Sequence, residues 1–456
     1  MPPPFLWISG LLLFACVHWN PWGWHWNDLQ RWAFILLTIL AWLHLTYLET
    51  KPVVFKFSFS SKILLALIGL TGIASILSSQ YPAWAWIEVS VFVGMALIAL
   101  AIRQVFSNNP EVMPQYVLAL CAFVAFMMVP RLGIFSFALT KDPKNAMDVL
   151  HSGFFNVRFL GQFQSATIPI VAAGCLLLTG WKKAACAILL LGWCWIAVYT
   201  HTRGTLLACL AMLCVAALAN TSTARRLASF VLISFAAAWL LDTVLYALPN
   251  SPFTLAGDTS SLRHPAGVTS LAGREIIWSQ AWAMFKENPL LGVGPMHFAS
   301  LHSKAGAHPH NILLQLLAEW GLIFSLCTIY FGWLMTRQIL KIIRTYDLSA
   351  EKLAPILALS SLLAQGLVDG IFVVPNTQVW LAIMAGWTWA VCNQTVTTVT
   401  QNATQTWKRH FALATTAILL MYMAVFSFLD FNQAYSARTQ TNEVYWPRYW
   451  SMGFIP

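Results

Sequence analysis

Two arginines, a histidine pair and a few side-chain amides are the groups in this sequence best suited to chemistry. They concentrate in the stretch 271–325, which reads LAGREIIWSQAWAMFKENPLLGVGPMHFASLHSKAGAHPHNILLQLLAEWGLIFS. Arg274 opens a helix expected to run to about Asn288 and to stop at Pro289. Ile277, Trp278, Ala281, Trp282 and Phe285 give that helix one apolar face, so it should lie along a membrane surface or pack on a bundle. Free N–H groups in its first turn, together with the planar guanidinium, suit an anion such as phosphate. Pairing with an acid or anchoring to lipid headgroups would also account for Arg274. Arg203, in YTHTRGTLL, falls in a tight connection between two apolar runs, so it lies at a membrane edge or in a cavity. Asp242 is the one acid near that end of a neighbouring run, and snorkelling to the interface is the alternative.

The second group is His308-Pro309-His310-Asn311. Proline at the first helical position would set His310 in the first turn of the next run, where the helix dipole keeps an imidazole neutral. A neutral imidazole is what a general base must be. Asn311, Gln315 and Glu319 follow at spacings of four, a polar stripe expected to face a water-filled interior. Two alternatives stand beside this: a histidine that only caps the helix, and a zinc site of His308, His310 and Glu319. Against zinc, a His-x-His pair does not put both rings on one helix face. Arg158, Gln162 and Gln164, in HSGFFNVRFLGQFQSATIP, approach the same side, and amides can hold hydroxyls or diphosphate oxygens. A polar loop end is the ordinary reading of that segment.

What must position these groups is membrane-embedded. The 456 residues are 59% hydrophobic and 9% charged, where a soluble domain carries roughly 25% charged residues. About thirteen apolar runs follow one another, from 5–18 through 115–130 and 353–371 to 409–429. The expected fold is all-α: a polytopic membrane protein of about 12–13 transmembrane helices, forming a single integral membrane domain over 1–456. Its large periplasmic loop should contain short helices. The N-terminal stretch lacks a basic region and a cleavage site and reads as a retained first helix. Basic residues occupy every second connection (Lys51, Lys56, Lys62; Arg103; Lys182, Lys183; Arg225, Arg226; Arg337 to Lys352; Lys408, Arg409), which puts those loops in the cytoplasm. The opposite side then holds two long connections, 131–164 and 248–311, and a tail over 430–456. Both long connections carry positive charge against that bias, and an anionic ligand is the simplest reason. The formal charge of +10 is spread between apolar runs, which argues against nucleic acid. The nine cysteines lie in apolar runs, without a disulfide framework or a CxxC metal signature. The Thr-rich segment 395–406 reads as a polar linker without chemistry.

The run GREIIWSQAWAMFKENPLLGVG followed by HPHNILLQLLAEWG resembles the O-antigen ligase and polymerase superfamily of bacterial envelopes. The ligase branch is marked by His-Asn/Ser/Gln, nine residues and Gly, a count met by His310, Asn311 and Gly321. Ser325 stands where the family has Gly or Thr, and in RFLGQFQ the residues Phe163 and Gln164 replace the family's Pro and Asn. The resemblance covers about 156–325. It implies a metal-independent, cofactor-free enzyme of the Gram-negative inner membrane. Such an enzyme moves a glycan en bloc from an undecaprenyl diphosphate carrier to an acceptor hydroxyl on the periplasmic side. Arg203 and Arg274 match the family's donor-binding arginines and His310 its essential histidine, with Arg158, Gln162, Gln164, His308 and Asn311 as further donor contacts. The thirteenth run and the outer tail are most similar to the pilin-glycosylating protein O-oligosaccharyltransferases, whose acceptor is a Ser or Thr hydroxyl. Attachment to lipid A core, glycan polymerisation and, from another class, flipping of a lipid-linked glycan are the alternatives.

Overall fold

The computed structural model describes residues 4–48, 59–249, 251–253, 274–303, 305–395, 406–438, 448–451 and 455. Among these residues every regular element is helical and no strand occurs. Lys51, Lys56, Arg263, Lys304 and most of the Thr-rich linker lie outside the described residues. The main helices are α1 (Pro4–His18), α2 (Trp26–Leu43), α3 (Phe59–Leu77), α4 (Pro82–Asn108), α5 (Val112–Lys141), α6 (Val157–Leu177) and α7 (Gly180–Tyr199). They continue as α8 (Arg203–Ala219), α9 (Ser222–Ala247), α10 (Arg274–Glu287), α11 (Ile312–Thr345), α12 (Ala350–Gln365), α13 (Pro375–Thr395) and α14 (Thr406–Arg438). Nine helices of the described residues are long and apolar enough to cross a membrane, and the protein is a polytopic all-α membrane protein. At 17 and 16 residues, α8 and α12 fall short of the roughly 20 needed to span a bilayer unaided.

Burial separates the centre of the bundle from its rim. The span of α6 is 89% buried inside the protein, whereas that of α14 is 17% buried and turns its Leu, Ile and Phe side chains outward. Around α6 pack α5, α7 and α12; α12 also contacts α8, and α13 lies along α4. Small residues permit the close approaches. A side chain at Gly386 would strike the Ala99 backbone, and one at Gly161 would meet Thr205 Oγ1 at 2.5 Å.

Among the described residues, several alternate connections meet on one side. The Tyr81 amide donates to His297 Nε2 (2.8 Å), Gln30 donates to the Gly153 carbonyl (2.7 Å) and the Ile312 amide to the Gly366 carbonyl (2.9 Å). On the other side Ser222 donates to Asp347 (2.8 Å), joining the start of α9, which carries Arg225 and Arg226, to the connection after α11, whose last turn carries Arg344. The connection between α5 and α6 is shorter than expected, spanning 142–156 rather than 131–164. Pro130 removes only one backbone bond, and Arg131 braces the next turn by donating to the carbonyls of Met127, Val17 and Ser152.

The helix α11 is two helices in series. Gly321 has φ 77° and ψ 179°, a conformation open essentially only to glycine. The break frees backbone groups, and the segment after α10 takes them up. The Val293 amide donates to Ala318 O (2.9 Å), the Gly294 amide to Glu319 O (3.0 Å), and the Leu322 amide to Pro289 O (2.8 Å). The turn Gly292-Val293-Gly294 therefore seats its loop on the helix. Gly321→Ala is expected to cost about 2–3 kcal/mol, because its Cβ meets the Leu290 backbone and the dihedral is strained. Denaturant or thermal unfolding in detergent measures this, and an unchanged midpoint would contradict it.

Candidate active site

His310 lies before the helix rather than in its first turn. Asn311 is the N-cap, its side-chain oxygen accepting from the Leu313 (3.0 Å) and Leu314 (3.1 Å) amides, and α11 starts at Ile312. Asparagine caps a helix well, so the proline two residues earlier lies outside it. His310 itself has φ 52°, which turns its ring out of the chain direction. Its Nδ1 stands 3.5 Å from Asp369 Oδ1, with the two side chains 11% and 5% exposed. That spacing is longer than a formed hydrogen bond, as catalytic contacts commonly are before substrate binds. A carboxylate beside Nδ1 places the proton there and leaves Nε2 as the basic nitrogen.

Asp369 is built for this role. Burial alone would raise its carboxyl, but the neighbouring His310 imidazole, the Gln162 carboxamide and the Gly370 amide together hold it below the usual carboxylate range. The Gly370 amide donates to Oδ1 at 2.8 Å and Gln365 Nε2 to Oδ2 at 3.3 Å. Thr377 donates to Gln162 Oε1 at 2.6 Å, fixing the amide that faces the carboxylate. Asp369 escaped the sequence reading because it falls inside what looked like one apolar run, 353–371. The missed signal was an ionisable residue near the end of a membrane run, which marks function by default.

His308 packs beneath its neighbour instead of reaching outward. The two rings are 4.0 Å apart, and the His310 amide donates to His308 Nδ1 at 3.3 Å. Gly370 presses on the ring: a Cβ there would come 2.5 Å from Cε1. Burial first, then the charges of His310, Arg448 and Arg158, push the His308 imidazole well below its ordinary value. The folded protein thus refuses a proton that the unfolded chain accepts below about pH 6.5. Stability should fall as pH drops through that value, and His308→Gln should flatten the slope. Melting temperatures at stepped pH check this; parallel curves for both proteins would count against it.

The arginines come to the same corner from three elements. Arg158 follows the Asn156 cap of α6, Arg203 begins α8 and Arg274 begins the described part of α10. Burial, then the Arg158 charge, lowers the Arg274 guanidinium; Asp369 opposes that shift and Arg203 adds to it. Arg274 therefore shares its field with both arginines and with the carboxylate that faces His310. Cations from three elements gathered at one corner make a field that draws an anion. The helix α10 is docked by Ile277, Ala281 and Met284 against α11 and Phe298, while Trp282 is exposed. It packs on the bundle, and Trp278 Nε1 donates to the Pro309 carbonyl at 2.9 Å, tying Arg274's helix to the histidine loop.

Not every residue expected at this site reaches it. Gln162 and Gln164 are two positions apart on a helix and so face different ways. Gln162 joins Asp369, while Gln164 donates to the Trp193 carbonyl on α7 at 2.8 Å. Asn311 spends its oxygen on the helix cap. The stripe of Gln315 and Glu319 faces buried protein, not a water-filled interior, since the two residues are 4% and 0% exposed. Glu319 accepts from Arg448 Nη2 (2.8 Å), the Phe298 amide (3.1 Å) and Gln315 (3.2 Å). Those contacts turn it toward Arg448 and away from the histidines, so it does not join them as a zinc ligand set. A groove of about 480 Å³ between α5 and α7, apolar with Lys182 at its rim, contains none of the site groups.

The site arranges a paired imidazole beside a cationic corner, which can accept a proton from a hydroxyl while stabilising a departing anion. No curated protein matches the chain. Residues 185–329, which hold Arg203, Arg274, His308, His310 and Glu319, match the family model described as O-Antigen ligase. That match covers about a third of the chain and supports a likeness to the O-antigen ligase superfamily.

Proposed function

We propose that the protein transfers a glycan en bloc from a polyprenyl diphosphate carrier to a Ser or Thr hydroxyl of a periplasmic protein such as a pilin. The observation that carries this reading is the Arg158–Arg203–Arg274 corner set beside the His310–Asp369 pair. A glycosyl diphosphate already has a good leaving group, so protonating it is unnecessary. What the reaction needs is charge stabilisation on the diphosphate and a base for the incoming hydroxyl. The three arginines supply the first, and Nε2 of His310 supplies the second. Asp369 holds the imidazole in the right tautomer and stabilises the imidazolium as it forms. The hydroxyl oxygen attacks the anomeric carbon as the bond to the diphosphate breaks, which inverts the configuration. The lipid tail would lie between helices facing the bilayer, with the site facing the periplasm of a Gram-negative inner membrane.

Attachment to lipid A core is the second reading, favoured by the family description O-Antigen ligase. Purified protein incubated with lipid-linked glycan and, separately, pilin, another secreted protein, lipid A core and free glycan separates these outcomes by mass. A glycan-sized gain on pilin supports the first reading, and a gain confined to lipid A core replaces it. Carbohydrate reaching the far side of a vesicle with no acceptor modified would replace both with transport. The carboxylates a transporter would need inside the bundle, Glu88 and Glu319, are instead both paired with Arg448.

A further inference from the structure

The described segment 448–451 threads into the bundle on the site side. Arg448 is 1% exposed, and its Nη2 reaches Glu88 Oε1 on α4 (3.2 Å) and Glu319 Oε2 on α11 (2.8 Å). The following residues fasten it. The Tyr449 carbonyl accepts from Arg31 (3.1 Å), whose guanidinium lies 4.7 Å from the Tyr449 ring, and Asp28 accepts from the Ser451 amide (2.6 Å) and hydroxyl (2.9 Å). Four buried charges are thereby drawn onto one short segment: Arg31, Asp28, Glu88 and Glu319.

Glu319 is the hub that links this strap to the chemistry. Its side chain receives Arg448, Gln315 and the Phe298 amide, and its carbonyl receives the Gly294 amide and the Ser75 hydroxyl. Two residues later Gly321 interrupts the helix, so the half from Ile312 to Trp320 is joined to the rest partly through the segment 289–294, which bonds both sides of the break. That half carries His310 at its head. Its pitch therefore depends in part on what grips Glu319, beside the packing of α10, and Arg448 is the one cation on that carboxylate among the described residues.

We propose that Arg448 is a positioning residue for the transfer site: through Glu319 it sets the tilt of the half-helix that presents His310 to Asp369. The proposal rests on the glycan-transfer reading for its kinetic arm only. Arg448 touches neither His310 nor the arginine corner, so its loss should act on turnover, leaving donor binding alone. In full-length protein, Arg448→Gln is expected to lower kcat about 10²-fold with KM for lipid-linked donor nearly unchanged, the effect of misplacing a catalytic group by about 1 Å. Arg448→Lys keeps the charge without the fork and should retain most of the turnover that Arg448→Gln loses. Because Arg448 acts through Glu319, the Arg448→Gln/Glu319→Gln double variant should be no worse than the poorer single one. The second readout needs no activity. Hydrogen exchange of the amides in 305–314 should speed up about tenfold in Arg448→Gln, with those of α6 and α7 unchanged.

If Arg448→Gln does not fold, Arg448→Met combined with Glu88→Gln and Glu319→Gln removes all three charges and carries the same two readouts. Wild-type kcat in the folded fraction, additive losses in the double variant, or exchange rising equally throughout the bundle would each overturn the proposal. Should the wild type transfer glycan to no acceptor, the functional reading fails, and the exchange comparison alone decides the positioning role.

Discussion

Replacing His310 is expected to lower glycan transfer by about 10²–10⁴-fold, the range for removing a general base, with the bundle still folded. Asparagine is the better substitution for this test. His310 has φ 52°, a left-handed backbone that asparagine tolerates and alanine does not. His310→Asn thus removes the basic nitrogen while sparing the turn that leads into the Asn311 cap. Asp369→Asn should fall between wild type and His310→Asn. The amide keeps the size of the carboxylate but neither fixes the Nδ1–H tautomer nor stabilises an imidazolium. The pair should also be strongly non-additive, since the aspartate works only through the imidazole 3.5 Å away. Equal rates for His310→Asn and wild type in an acceptor mass-shift assay would remove the base from the mechanism.

The second large effect is expected at the arginine corner. Arg274→Lys retains one positive charge and should nevertheless lose about 10²-fold in kcat/KM, comparable to losing one donor to a developing oxyanion. A lysine offers a point charge, while a guanidinium grips two oxygens of a diphosphate at once. Arg274 is also held among Arg158 and Arg203 at a cost in mutual repulsion, which a bound diphosphate would relieve. Arg203→Lys should behave alike, and Arg158, the most exposed of the three, should lose least. Kinetics with varied lipid-linked donor give these ratios. Lysine variants matching wild type would mean that simple charge suffices and that the planar fork plays no part.

The positions of the membrane helices were readable because twenty-residue apolar runs leave little choice in a bilayer. Charge asymmetry in the short loops was equally legible, and among the described residues connections expected on the same side do touch, Tyr81 with His297 and Ser222 with Asp347. A short helix carrying Arg274 and ending before Pro289 was visible from one apolar stripe and one proline. The rest needed coordinates, for reasons that can be named. Asp369 was masked by the apolar residues around it, and its pairing with His310 spans 59 positions that no local pattern reports. Gln162 and Gln164 look alike in the sequence, and helical phase alone sends them to different neighbours. The polar stripe of α11 was legible as polar, but its partner Arg448 lies 129 positions away, so buried pairing looked like solvation. The seat that Gly292, Val293 and Gly294 make on α11 was hidden, because nothing local shows that Gly321 breaks the helix they pack against.

The central claim is that guanidinium groups from α6, α8 and α10 share one pocket with the His310 imidazole. A polyprenyl diphosphate carrying a photoreactive group beside the phosphates tests it most directly, by mapping the labelled peptides in membranes. Label is expected on the starts of α6, α8 and α10 and on the connection before α11, competed away by unlabelled donor and lost in an Arg203→Gln/Arg274→Gln variant. Specific, competable label restricted to the opposite end of the bundle, or unaffected by those substitutions, would contradict a common donor pocket.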